Sequence, residues 1–166
     1  MNNWYLLYCQ TQKFDLVVSR ISSLGVTCYY PLEIVISTRT DRPSMRVKRK
    51  PLFPGYLFVY FDPEVIHTTT IAEVPGAHQF IRFGGMPSIV DENVIESFKG
   101  FQQIRENREL ETIECINLPK YISDEVINIY NVKNCTERSV LLMNLVERWQ
   151  KVLPTKLQAF STLSTY

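Results

Sequence analysis

Apolar positions change period several times along the first hundred residues, and each change marks an element. Trp4-Tyr5-Leu6-Leu7-Tyr8-Cys9 is an unbroken apolar run of strand length, which predicts a buried strand. Phe14, Val17, Val18, Ile21 and Leu24 recur at helical spacing, and Gly25 stands where a C-cap belongs. Val26 to Ile36 is β-branched and aromatic and predicts a second strand. Residues 39–50 break every period and carry six basic residues (Arg39, Arg42, Arg46, Lys48, Arg49, Lys50) against Asp41 alone, which reads as a solvated hairpin loop. Pro51-Leu52-Phe53-Pro54-Gly55 punctuates the chain before a third strand, Tyr56–Phe61. Asp62 as N-cap and Pro63 at the first helical position then predict a short helix that Pro75-Gly76 ends. Phe80–Phe83 is a fourth strand closed by Gly84-Gly85, and Asp91 caps a last helix bearing Val94, Ile95, Phe98 and Phe101. The order β-α-β-β-α-β-α predicts an α+β fold, a four-stranded antiparallel sheet with flanking helices, over residues 1–101.

From Gln102 to Leu118 the texture turns polar and charged, and a linker is expected over 102–118. Residues 119–166, read as a second domain, carry two periods at once. Val126 and Tyr130, and then Leu142, Val146 and Trp149, suit helices. Yet Glu125–Tyr130 and Ser139–Met143 would serve as strands, with Asn134-Cys135-Thr136 as the turn between them. On pattern alone, a helical hairpin and a small β-barrel both stay open.

Composition narrows the class. The chain has 166 residues, of which 45% are hydrophobic and 21% charged, a globular make-up that excludes wholesale disorder. Lys and Arg number 18 against 17 Asp and Glu, so net charge points to no partner. No wholly apolar run exceeds the six residues of Tyr56–Phe61, and Met1-Asn2-Asn3-Trp4 lacks the basic start of a signal peptide. A soluble, cytoplasmic protein is expected. Cys9, Cys28, Cys115 and Cys135 are scattered without a C-x-x-C pair, and His67 and His78 have no cysteine beside them. They read as small buried thiols, with no metal site. No G-x-S-x-G, Gly-rich phosphate loop, H-E-x-x-H or spaced carboxylate pair occurs. A binding protein without catalytic residues or cofactor is therefore expected.

Three features offer binding chemistry. Tyr56, Phe58 and Tyr60 share one face of their strand and Leu57, Val59 and Phe61 the other. That strand is either central and covered on both sides, or part of its aromatic face is a docking surface. His67-Thr68-Thr69-Thr70 puts three β-branched hydroxyls in succession, either a first helical turn or polar groups offered to a partner. Arg46-Val47-Lys48-Arg49-Lys50 is either a solvated loop or a phosphate contact.

The stretches Trp4–Cys9, Pro51–Val59, His67–Ile71 and Phe80–Gly84 resemble the N-terminal domain of NusG-type transcription elongation factors, and within them the specialised RfaH-type paralogues. The resemblance covers about residues 1–98, and the tail joins it through Arg138–Leu145. It implies a transcription elongation and antitermination factor that binds RNA polymerase and reduces pausing and termination at selected operons. Tyr8, Tyr56, Phe58, Phe83, Ile95 and Phe98 match the positions that take the β′ clamp helices. His67, Thr68 and Thr69 match those that touch the β gate loop. Arg20 and Thr70 suit contact with the non-template DNA strand, whereas Gln10, Thr11, Leu16, Ser23, Leu24 and Pro75 depart from the basic or polar side chains of the pattern. The resemblance also implies a C-terminal domain resting as a helical hairpin over the polymerase site, through Arg138, Leu142, Leu145 and Val146. On release it refolds as a KOW-like β-barrel that contacts ribosomal protein S10. A monomer is expected. Arg138 matches a position that pairs with a glutamate just before the Pro-Leu-Phe-Pro motif. Here that place is Lys50, and like charges there imply that the closed state is held some other way, or less firmly. The reading from another class is a single-strand nucleic-acid-binding module without polymerase contact, although strand 56–61 interleaves no basic residue with its aromatics.

Overall fold

A computed structural model describes residues 1–38, 45–106 and 120–162. Strand β1 (Asn3–Cys9) is the centre of an antiparallel sheet. On one side it pairs with β5 (Tyr56–Phe61), from Asn3 opposite Phe61 to Tyr8 opposite Tyr56. Its other side is shared by β6 (Ala77–Phe80) and the two-residue β7 (Ile89–Val90). Strand β2 (Thr27–Tyr29) closes the sheet beyond β5. Strands β3 (Leu32–Thr38) and β4 (Met45–Pro51) form a separate two-stranded ribbon.

Side-chain alternation divides the interior into two cores, one on each side of this sheet. Tyr5, Leu7 and Cys9 of β1 and Leu57, Val59 and Phe61 of β5 point to one, where α1 (Phe14–Ser23) adds Phe14, Val17 and Ile21 and α2 (Thr68–Ala72) adds Ile71. Burial here pushes the Cys9 thiol up to about 12. Trp4, Leu6 and Phe58 point to the other core, against Val94, Ile95, Phe98 and Phe101 of α3 (Glu92–Glu106). Two further helices, α4 (Lys120–Asn131) and α5 (Cys135–Thr162), lie on this second side. The α+β class with an antiparallel sheet is as expected, and of the two patterns open to the tail the helical one is present.

Several elements differ from expectation. The sheet has five strands rather than four. Pro31 splits the stretch read as one strand into β2 and β3, because a proline cannot donate to a ladder. The basic stretch read as a loop is strand as far as 45–51, paired with β3 from Leu32 opposite Pro51 to Thr38 opposite Met45; residues 39–44 lie outside the described residues. Asp62 caps a turn rather than a helix. Its Oδ1 accepts from the Glu64 amide at 3.0 Å and its carbonyl from Val65 and Ile66. The helix itself starts only at Thr68, so the three threonines are its first turn. The strand read at 80–83 lies earlier, at Ala77–Phe80, because Gly76, at φ +102°, turns the chain straight into the pairing. Beyond it the chain folds back, and Arg82 bridges to Pro87. Asp91 does cap α3, its Oδ1 accepting from the Asn93 amide at 2.8 Å. Cys135 is exposed, unlike buried Cys9 and half-buried Cys28, and Cys115 lies outside the described residues.

Candidate functional site: a covered aromatic face

The second core is where the N-terminal and C-terminal segments meet. Helix α4 places Ile122, Val126, Ile129 and Tyr130 on one face, and α5 places Arg138, Leu142, Leu145, Val146 and Trp149 on one face. Both spacings follow the helical repeat. These stripes bury Phe58, Ile95 and Phe98, each at 0% exposure. Phe98 meets Tyr130 at 6.1 Å and Phe101 meets it at 6.2 Å between ring centroids. The turn between the helices is set by Asn134, whose Oδ1 accepts from the Thr136 amide at 2.9 Å.

The expected aromatic group is thus only partly one surface. Phe58, Ile95 and Phe98 lie under the helices, and Tyr56 and Phe83 are half-buried against the same cluster. Tyr8 stands outside it, 39% exposed, against Tyr56 at 5.2 Å and stacked on His78 at 5.5 Å. Gly55 makes that corner possible. Its φ is +85°, and a Cβ there would stand 2.9 Å from the Cys9 carbonyl.

Polar contacts pin the helices down. Arg138 is only 2% exposed, yet its guanidinium donates to both oxygens of Glu33 at 3.2–3.3 Å, to the Leu52 carbonyl at 3.2 Å and to the Lys133 carbonyl at 3.0 Å. Glu33 also receives Lys50 at 3.3 Å. Arg138 and Lys50 therefore do not face each other unpaired, and of the two expected outcomes the closed state held some other way is the one present. Lys50 sits directly opposite Glu33 in the ribbon, so the acid comes from the neighbouring strand and bridges both cations. Burial raises the Glu33 carboxyl, but the hydrogen bonds and charges of Arg138 and Lys50 outweigh it and hold the group below its ordinary value. Farther along α5, Gln150 donates to the Ile89 carbonyl at the edge of the sheet.

The remaining candidates lie with the first core, across the sheet. His67 is exposed and caps α2. Its Nδ1 stands 2.8 Å from the Thr69 hydroxyl and accepts from the Thr69 amide at 3.4 Å. Thr68 and Thr69 border a groove of about 130 Å³ with His78, Gln79 and Arg82. Thr70 and, on α1, Arg20 are exposed. Sequence reasoning missed Glu33, His78 and Gln150, none of which carries a motif signal of its own.

Among the described residues no helix is long and apolar enough to cross a membrane, and no His, Cys, Asp and Glu side chains group as a metal site. A family model described as transcription termination factor nusG matches residues 2–99. Among solved structures, one of Thermotoga maritima NusG, described as showing domain interaction in that protein, is similar at 22% identity. It covers 70% of this chain and 68% of that one, with a TM-score of 0.38. The match over residues 2–99 takes in the sheet and α3 up to Lys99, so the chain belongs to the NusG family of transcription elongation and termination factors, which bind RNA polymerase and are not enzymes.

Proposed function

We propose that this chain is a NusG-family factor of the RfaH type, an antiterminator at selected operons whose polymerase-binding face is closed at rest by its own C-terminal helices. The observation that carries this reading is the burial of Phe58, Ile95 and Phe98 beneath α4 and α5. An apolar face of this kind is what a partner's helices would use, and while the tail lies on it no partner can. In this reading Tyr8, Tyr56, Phe58, Phe83, Ile95 and Phe98 take the β′ clamp helices. His67, Thr68 and Thr69 meet the β gate loop from the opposite side of the sheet, and Arg20 and Thr70 approach the non-template strand. A factor held at both pincers opposes clamp opening and so suppresses pausing and termination. The protein divides into a binding domain over 1–101, a linker over 102–118 and a switching domain over 119–166. Once released, the last refolds as a KOW-like barrel able to meet ribosomal protein S10. It works as a monomer on cytoplasmic polymerase.

Two measurements test this. The chain cut after residue 106 should bind isolated β′ clamp helices at least roughly tenfold more tightly than the full chain, and Tyr56→Ala in the cut form should remove roughly tenfold or more. Equal binding by the full and cut chains would mean that the helices cover nothing of functional use. Circular dichroism of residues 113–166 alone should show less helix and more strand than the same segment has in the full chain; an unchanged helical spectrum would remove the switch.

A further inference from the structure

Among the side chains the structure describes, the β3–β4 ribbon contributes none to either core cluster, and Arg46, Val47, Lys48, Arg49 and Lys50 are all exposed. Its two strands carry these four cations and a single acid, Glu33, which Arg138 and Lys50 already engage. The whole chain has a net charge of only +1, so positive charge is concentrated on this ribbon and offset elsewhere.

The spacing of that charge has a natural complement. Alternate residues of a strand share a face about 6.8 Å apart, which puts Arg46, Lys48 and Lys50 in one row. Duplex DNA carries about one negative charge per 1.7 Å of axis, so a row of cations of this length lies against several phosphates. Neither strand of the ribbon has an aromatic residue. Sites for single strands stack bases on aromatic rings, and this ribbon cannot. Nor does β4 carry an Asn or Gln to read adenine edges. A two-stranded ribbon fits the major groove of B-form DNA, whereas the deep, narrow groove of duplex RNA excludes side chains.

We propose that the β3–β4 ribbon binds the phosphate backbone of duplex DNA without regard to sequence, through Arg46 and Lys48 with Lys50 at its base. This contact is separate from the covered aromatic face and from Arg20 and Thr70, and it needs no polymerase. It gives the factor a non-specific hold on double-stranded template beside whatever single strand it meets.

The test is fluorescence anisotropy of the full chain with two short DNA duplexes of unrelated sequence, a duplex RNA and a DNA single strand, between about 50 and 200 mM salt. The two DNA duplexes should bind alike and more tightly than the RNA duplex. Arg46→Gln with Lys48→Gln should weaken duplex binding by roughly tenfold and flatten its salt slope by about two, while Lys120→Gln, at an exposed position on α4, leaves duplex binding unchanged. Both ribbon positions are exposed, and an unchanged thermal melt confirms that the variant is folded. A charge-reversed pair, Arg46→Glu with Lys48→Glu, should abolish duplex binding. Wild-type affinity and slope in the folded double variant, preference for RNA or single strand, or no duplex binding at low salt would each overturn the proposal.

Discussion

The Arg138 guanidinium has lost almost all its water, and its charge is answered by one carboxylate supplied from the other end of the chain. Removing one partner of such a pair leaves a buried charge uncompensated, at a cost of about 3–5 kcal/mol. Glu33→Gln should therefore lower the urea midpoint of tail detachment, whereas Lys50→Gln, an exposed partner, should change it by less than about 1 kcal/mol. The same pair makes closure pH-dependent. Glu33 is held below its ordinary value of 4.5 in the folded chain. Its stabilisation is thus complete above that value and is lost as pH falls through the depressed one. The difference between wild type and Glu33→Gln in urea melts should narrow below about pH 4.5 and vanish in stronger acid. At Gly55, an alanine meets both an unfavourable positive φ and the Cys9 carbonyl. It should destabilise the fold by about 1–3 kcal/mol in the same assay. Arg138 and Lys50 were both legible in the sequence as residues of the joint, but Glu33 was not. Its role depends on the register between β3 and β4, and a run of cations hid the second of those strands.

Long elements with one dominant period were readable from the sequence: β1, α1, β5 and α3 lie where the pattern put them. Short ones were not. β7 has two residues, too few for any period to register, and it exists because Trp4 and Tyr5 leave a free edge for it. The cap signals at Asp62 were real, but they serve a turn, since an Asp side chain closes a turn as readily as it starts a helix. In the tail both periods are present in the residues, and contact with the sheet decides between them. Ile122, Val126, Ile129 and Tyr130 reach one apolar surface together only on a helix. Helix α5 is further set by its cap. Asn134→Ala removes the acceptor of the Thr136 amide and should cost about 1 kcal/mol, while Asn134→Asp should be nearly neutral. Thermal melts of the two variants would check it.

At the scale of the whole molecule, the sheet is a partition. Among the described residues, the buried members of the core on the α1 side all precede Gly84, with Ile89 of β7 packed at its margin, whereas the core on the α3 side draws on both ends of the chain. Losing α4 and α5 therefore strips one core of part of its packing and leaves the other complete. Both tryptophans of the chain, Trp4 and Trp149, belong to the core that is stripped. Intrinsic fluorescence consequently watches one side of the partition and is blind to the other. In a denaturant titration the tryptophan signal should change before the amide protection of β5 and α1 against hydrogen exchange is lost, and the gap between the two midpoints measures how independently the halves melt. Superimposed midpoints would make the protein one cooperative unit, in which the tail could not leave without unfolding the domain beneath it.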